Sequence, residues 1–101
     1  MNIRDSIAIV TGGASGLGAG TVRMIVENGG KAAIFDLNEE RAATLISELG
    51  EENVCFEKTD VSSEESVKNS IKNVLTKYGS FNTVVNCAGI VLAEKVIKRD
   101  G

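Results

Sequence analysis

Thr11-Gly12-Gly13-Ala14-Ser15-Gly16-Leu17-Gly18 is the stretch that decides the fold. Before it lies Ser6 to Thr11, short, apolar and β-branched, which suits a buried strand. After it, from about Gly16 to Asn28, Val22, Ile25 and Val26 fall on one helical face, and Gly29-Gly30 stops the helix. A glycine-rich turn from strand to helix is where a phosphate site belongs. Small residues let the backbone approach a pyrophosphate, and the helix start offers free N–H donors and a positive dipole. The spacing then separates the nucleotide-binding turns. Gly13 to Gly18 fits the first part of a P-loop, but Ala19-Gly20 stands where Lys-Ser/Thr is required. Gly16 and Gly18 begin a G-x-G-x-x-G, but Thr21 holds the third glycine's place. A methyltransferase turn usually carries an acidic residue just before G-x-G-x-G, and Thr11 stands there instead. What remains is T-G-x-x-x-G-x-G, formed by Thr11, Gly12, Gly16 and Gly18.

Outward from this turn, strand and helix patterns alternate to the end of the readable periodicity. Lys31 to Asp36 reads as a second buried strand. Asn38 can cap a helix with Glu39 and Glu40 in its first turn, favourable against the helix dipole. Ala42, Leu45, Ile46 and Leu49 line one face of it, and Gly50 suits the position just past its end. Val54 to Lys58 is a third strand. Ser62 and Glu65 have capping-box spacing, opening a helix with Val67, Ile71, Val74, Leu75 and Tyr78 on one face and Gly79 after it. Thr83 to Asn86 is a fourth strand.

Strands separated by single helices pair in parallel through right-handed crossovers. The fold class is therefore α/β: part of a doubly wound parallel sheet, four strands in the order 3-2-1-4 with three crossover helices. The first two helices should share one face and the third should cover the other alone. That leaves Ile7, Ile9 and Val84 or Val85 partly bare, and strand 4 at a sheet edge. A ligand belongs at the carboxyl ends of strands 1 and 4. Asp36 ends the second strand, at a distance along the chain where a carboxylate can accept hydrogen bonds from both hydroxyls of an adenosine ribose. It would also repel a 2′-phosphate.

With these residues in place, the chain resembles the classical short-chain dehydrogenase/reductase family. The resemblance rests on the Thr11–Gly18 turn, Asp36, Asp60-Val61 after the third strand, and Asn86-Cys87-Ala88-Gly89 after the fourth, in family order and spacing. It implies a Rossmann-type fold over residues 1–101, a single NAD-binding domain. It implies cofactor contacts from Gly12, Ser15, Gly16, Leu17, Gly18, Asp36, Leu37, Asp60, Val61, Asn86, Cys87, Ala88 and Gly89. Asp60-Val61 would meet the adenine, and the small residues from Cys87 to Gly89 would let the strand end approach the cofactor ribose. Members that prefer NADP tend to place a basic residue at the position of Leu37 or Ser15; neither is basic here, so NAD is expected. Thr11-to-Gly18 together with Asn86-Cys87-Ala88-Gly89-Ile90 is similar to the type 2 3-hydroxyacyl-CoA dehydrogenase (17β-hydroxysteroid dehydrogenase type 10) branch.

The family's chemistry uses a Ser, a Tyr and a Lys, with Tyr-x-x-x-Lys on one helix. Here the only tyrosine is Tyr78, and Asn82 stands four residues on. No catalytic residue is therefore expected. The chain reads as a dehydrogenase truncated before its catalytic and substrate-binding segments, with a free-standing NAD-binding module as the alternative. The resemblance implies interconversion of a secondary alcohol and a ketone, with 3-hydroxyacyl-CoA or hydroxysteroid as candidate substrates and homo-oligomers in full-length members.

Composition agrees with that class. The 101 residues are 43% hydrophobic and 25% charged, with a net charge of −3 spread along the chain, so no basic stripe for nucleic acid is visible. Histidine is absent, which removes a His-based triad, a His general base and His-containing metal sites. Two cysteines, Cys55 and Cys87, make no metal cage, and three strand spacings of about 4.8 Å between their strands exclude a disulfide. The apolar runs Ile7–Val10 and Ile90–Ala93 fall far short of a membrane helix. With no signal-peptide core at the start, the expectation is a soluble intracellular protein of the cytoplasm or mitochondrial matrix, without membrane or nucleic-acid partners.

Overall fold

The structure, a computed structural model, describes residues 3–14 and 16–87. A short 3-10 turn, Ile3–Asp5, leads into β1 (Ile7–Thr11), α1 (Gly16–Glu27), β2 (Lys31–Asp36), α2 (Glu39–Leu49), β3 (Val54–Lys58), α3 (Glu64–Tyr78) and β4 (Thr83–Asn86). Each strand is brief and apolar because both of its faces meet helices, as parallel sheets require. The sheet order is β3-β2-β1-β4, parallel throughout. This is the expected order, set by right-handed crossovers.

Alternation along the strands divides the core in two. Ala8, Val10, Ala32, Ile34 and Val54 turn toward Val22 and Ile25 of α1 and Ala42 and Leu45 of α2. Ile9, Ala33, Phe35 and Cys55 turn the other way, under Val67, Ile71 and Val74 of α3. One helix covers its face better than the sequence suggests: Ile9, expected to be partly bare, has no exposed surface. It sits mid-strand, paired with Ala33 on one side and Val84 on the other, directly beneath α3. Val84 remains exposed and Ile7 half-buried.

The helix ends follow local chemistry. Asn38 caps α2 by accepting the Arg41 N–H at 3.0 Å, and Gly50 closes it by donating its N–H to the Ile46 carbonyl at 2.8 Å. At α3 the cap is Ser63, not Ser62: the Ser63 hydroxyl accepts the Ser66 N–H at 3.3 Å. Ser62 is engaged elsewhere, its hydroxyl donating to Asp60 Oδ1 at 2.6 Å. At the other end, Gly79 adopts the left-handed conformation, φ 82°, and donates to the Leu75 carbonyl. No helix among the described residues is long and apolar enough to cross a membrane.

Candidate functional site

All four strands run the same way, so the loops after their carboxyl ends gather at one edge of the sheet. There the glycine turn, Asp36-Leu37, Thr59-Asp60-Val61 and Asn86-Cys87 converge. Thr11 is fully buried, and its hydroxyl donates to Asn86 Oδ1 at 2.6 Å, joining the ends of β1 and β4. Gly12 donates its N–H to the Phe35 carbonyl at 2.8 Å, and Cys87 donates its own to the Thr11 carbonyl at 3.1 Å. The end of β1 is thus tied to both neighbouring strands.

The two later glycines of the turn are needed for different reasons. Gly16 starts α1 with φ +54°, and a Cβ there would meet nothing within 4 Å. The space over Gly16 is open, as an approaching phosphate requires, and its conformation is one that disfavours a side chain. Gly18 is buried, and a Cβ there would overlap the Gly12 carbonyl oxygen. Its bareness is required by the packing of α1 on the turn. Leu17 projects into solvent beside it, 80% exposed. Ser15, Ala88 and Gly89 lie outside the described residues.

Asp36 is the most connected carboxylate of the region. Its Oδ1 accepts the N–H groups of Leu37 at 2.7 Å and Asn38 at 3.0 Å, and its Oδ2 accepts that of Ala14 at 3.1 Å. The last of these fastens the glycine turn to the end of β2, a link with no signal in the sequence. Asp60 faces it across a small cleft of about 130 Å³ lined by Gly12, Phe35, Asp36, Leu37, Thr59, Asp60 and Val61. The hydroxyl and N–H of Ser62 both bond to Asp60 Oδ1, and they hold its carboxyl below the usual aspartate range. Among the described residues, the lining holds two carboxylates and no lysine or arginine.

The structure thus brings Gly12, Asp36, Leu37, Asp60 and Val61 into one cleft, with Gly16, Leu17 and Gly18 on the adjoining turn and Asn86 and Cys87 at its β4 side. Phe35 and Thr59, absent from the sequence-based set, also line the cleft. No stretch of sequence marks them, because both are strand-end residues brought there by the sheet. Tyr78 lies elsewhere. As the last residue of α3 it packs against the core on that side of the sheet, with the ammonium groups of Lys77 and Lys31 at 5.7 and 6.0 Å from its ring centre. Burial, and then the neighbouring Cys55 thiol, push its ionisation far above the usual phenol range. Cys55 and Cys87 are both free thiols, as their places in the sheet order require. No group of three or more His, Cys, Asp or Glu able to hold a metal occurs among the described residues.

Known proteins are similar to this chain in sequence and in fold. Residues 6–100 match the family described as short chain dehydrogenase. Short-chain dehydrogenase reductase 3a of Arabidopsis thaliana is 35% identical over 91 residues, covering 90% of this chain and 35% of that protein. An uncharacterized oxidoreductase of Thermotoga maritima is 34% identical over 99 residues, covering 96% of this chain and 39% of its own length. A crystal structure of a short chain dehydrogenase from Bacillus anthracis superposes with a TM-score of 0.80 at 21% identity, over 87% of this chain and 36% of that one, a likeness of fold. The chain spans about a third of the length of the relatives it matches. That family uses nicotinamide cofactors, NAD or NADP. With the match to the short chain dehydrogenase family running over residues 6–100 and relatives about 35% identical along most of its length, this chain is a member of the short-chain dehydrogenase/reductase family.

Proposed function

We propose that residues 1–101 form the NAD-binding Rossmann domain of a short-chain oxidoreductase, and that the whole protein interconverts a secondary alcohol and a ketone. The observation that carries the choice of NAD over NADP is the acidic wall of the cleft. Asp36 and Asp60 both line it and, among the described residues, no lysine or arginine does, so a 2′-phosphate would meet two carboxylates. The Asp36 carboxylate, already oriented by three N–H donors, would accept the ribose hydroxyls, with Leu37 beside it. Asp60 and Val61 would flank the adenine. Gly12, Ser15, Gly16, Leu17 and Gly18 would hold the pyrophosphate, and Asn86, Cys87, Ala88 and Gly89 the second ribose. Bound there, the nicotinamide supplies or accepts the hydride. This sequence has no Tyr-x-x-x-Lys, so none of its residues is assigned the alcohol proton.

3-Hydroxyacyl-CoA and hydroxysteroid are the substrate classes we favour, on the resemblance of the Thr11–Gly18 turn and Asn86-Cys87-Ala88-Gly89-Ile90 to the type 2 3-hydroxyacyl-CoA dehydrogenase branch. Calorimetric titration with NADH and NADPH tests the cofactor assignment. The chain should bind NADH more tightly, and equal affinity for the two refutes the assignment. The 101-residue chain alone should give no NADH from either substrate class above a protein-free control.

A further inference from the structure

One wall of the cleft, Thr59-Asp60-Val61, is a loop between β3 and α3, and loops do not hold position unaided. Besides the local bonds of Ser62 and Ser63 to Asp60, it is held by two serines one turn apart on α3. Ser66 Oγ accepts the Asp60 N–H at 3.0 Å. Ser70, buried, places its Oγ 2.7 Å from Thr59 Oγ1. The Thr59 hydroxyl already donates its one proton to the Glu57 carbonyl at 2.8 Å, so in the second contact Ser70 must be the donor. On the opposite side, the Thr59 N–H donates to the Asp36 carbonyl at 2.9 Å. Thr59 therefore joins three things: the strand that carries Asp36, the loop that carries Asp60, and the helix. Ser66 fixes the next peptide along.

These bonds are more than helix packing requires. α3 is already seated by Val67, Ile71 and Val74, and a serine buried in an otherwise apolar contact is costly unless hydrogen-bonded, as Ser70 is to Thr59. Ser66 and Ser70 stand one turn apart, so they share a side of the helix, and both reach the loop at the cleft. We propose that Ser66 and Ser70 are positioning residues that set the distance between the Asp60-Val61 wall and Asp36, and so govern affinity for the adenosine half of a nucleotide. This rests on the nucleotide assignment of the cleft made above.

The test uses adenosine 5′-monophosphate as probe, titrated calorimetrically at a temperature where circular dichroism shows each variant folded. Ser66→Ala should raise the dissociation constant about fivefold, the scale of one hydrogen bond's ordering, and Ser66→Thr, which keeps the acceptor, should restore it. Amide exchange should quicken at Asp60 and Val61 in Ser66→Ala and stay unchanged at Ala33 and Ile34. Ser70→Ala should act in the same direction; should it fail to fold, the half-buried Ser66 carries the test alone. A role in stability only would lower the melting temperature and leave the probe's affinity within twofold, which would overturn the proposal. Failure of the unaltered chain to bind the probe would overturn the nucleotide assignment itself, and the proposal with it.

Discussion

Three glycines within five residues carry three different constraints, and alanine separates them. Gly20 sits on the exposed face of α1, where an added Cβ would have nothing within 4 Å, so Gly20→Ala should stabilise by about 0.5–1 kcal/mol through reduced backbone freedom. Gly16→Ala also meets open space but must hold φ +54°, at a cost of roughly 1–2 kcal/mol. Gly18→Ala drives a methyl group into the Gly12 carbonyl and forces the helix off the turn, so it should cost the most. Melting temperatures should fall in the order Gly20→Ala, unaltered chain, Gly16→Ala, Gly18→Ala; any exchange of the last two would contradict the packing role of Gly18. Asp36→Ala should cost roughly 1.5–3 kcal/mol of NADH affinity, as loss of a charged acceptor does, and should narrow the preference over NADPH in the same titrations. It also strips the acceptor from three N–H groups, so its melting temperature should fall with or without cofactor. The place of Asp36 at the end of the second strand was readable from the sequence. Its hold on Ala14 was not, because that bond joins residues 22 apart whose meeting depends on the sheet.

Among the elements, the start of α3 shows how local sequence can point one residue wide. Ser62 and Glu65 have the spacing of a capping box, yet Ser63 caps the helix because Asp60 has already claimed the Ser62 hydroxyl and N–H. Two adjacent serines offer two registers, and the local turn in which Asp60 accepts from Ser62, two residues on, selects between them. Ser63→Ala should therefore destabilise by about 1 kcal/mol, the ordinary value of a lost cap, whereas Ser62→Ala removes no cap and gives up only the part of the Asp60 contribution that its hydroxyl supplies. Ser62→Ala should instead raise the Asp60 pKa toward the usual aspartate value, read by NMR titration of the carboxyl. The sign follows from the depressed pKa. Asp60 adds stability above its unfolded value and loses it as pH falls through the lower folded one, so the unaltered chain should gain from Asp60 near neutrality and lose that gain only in acid, below about pH 4. The strands were legible because each is a short apolar run bounded by glycine, asparagine or a charge. The contacts of Ser66 and Ser70 left no such trace, since serines in a helix pattern read as polar filler.

At the scale of the molecule, the two free thiols report on different parts of the sheet. Cys55 is buried under α3, and burial pushes its thiol pKa up; Cys87 follows β4 at the cleft, half-buried. Iodoacetamide at about pH 8, near the ordinary thiol pKa, followed by mass spectrometry, should label Cys87 first and Cys55 only as denaturant opens the α3 face, since both thiolate fraction and access are low there. The overall topology was readable without any contact being known, because single-helix crossovers leave few strand orders. How well α3 seals its face was not, since Ile9 is covered by neighbours from three elements. The sheet order has a further consequence, in time. β1 pairs with β2 from Ile7 to Lys31, and with β4 only from Ala8 to Thr83, 75 residues on. Closing the longer loop costs about 1 kcal/mol more than closing the shorter. β3, β2 and β1 can therefore assemble first, and β4 joins last. At a synthesis rate of about 5–20 residues per second, the stretch between Lys58 and Thr83 takes roughly one to five seconds to appear. For that interval the open side of β1 is a bare row of N–H and C=O groups flanked by Ile9 and Val10, and its exposure on the ribosome is decided by the distance along the chain to a strand not yet made.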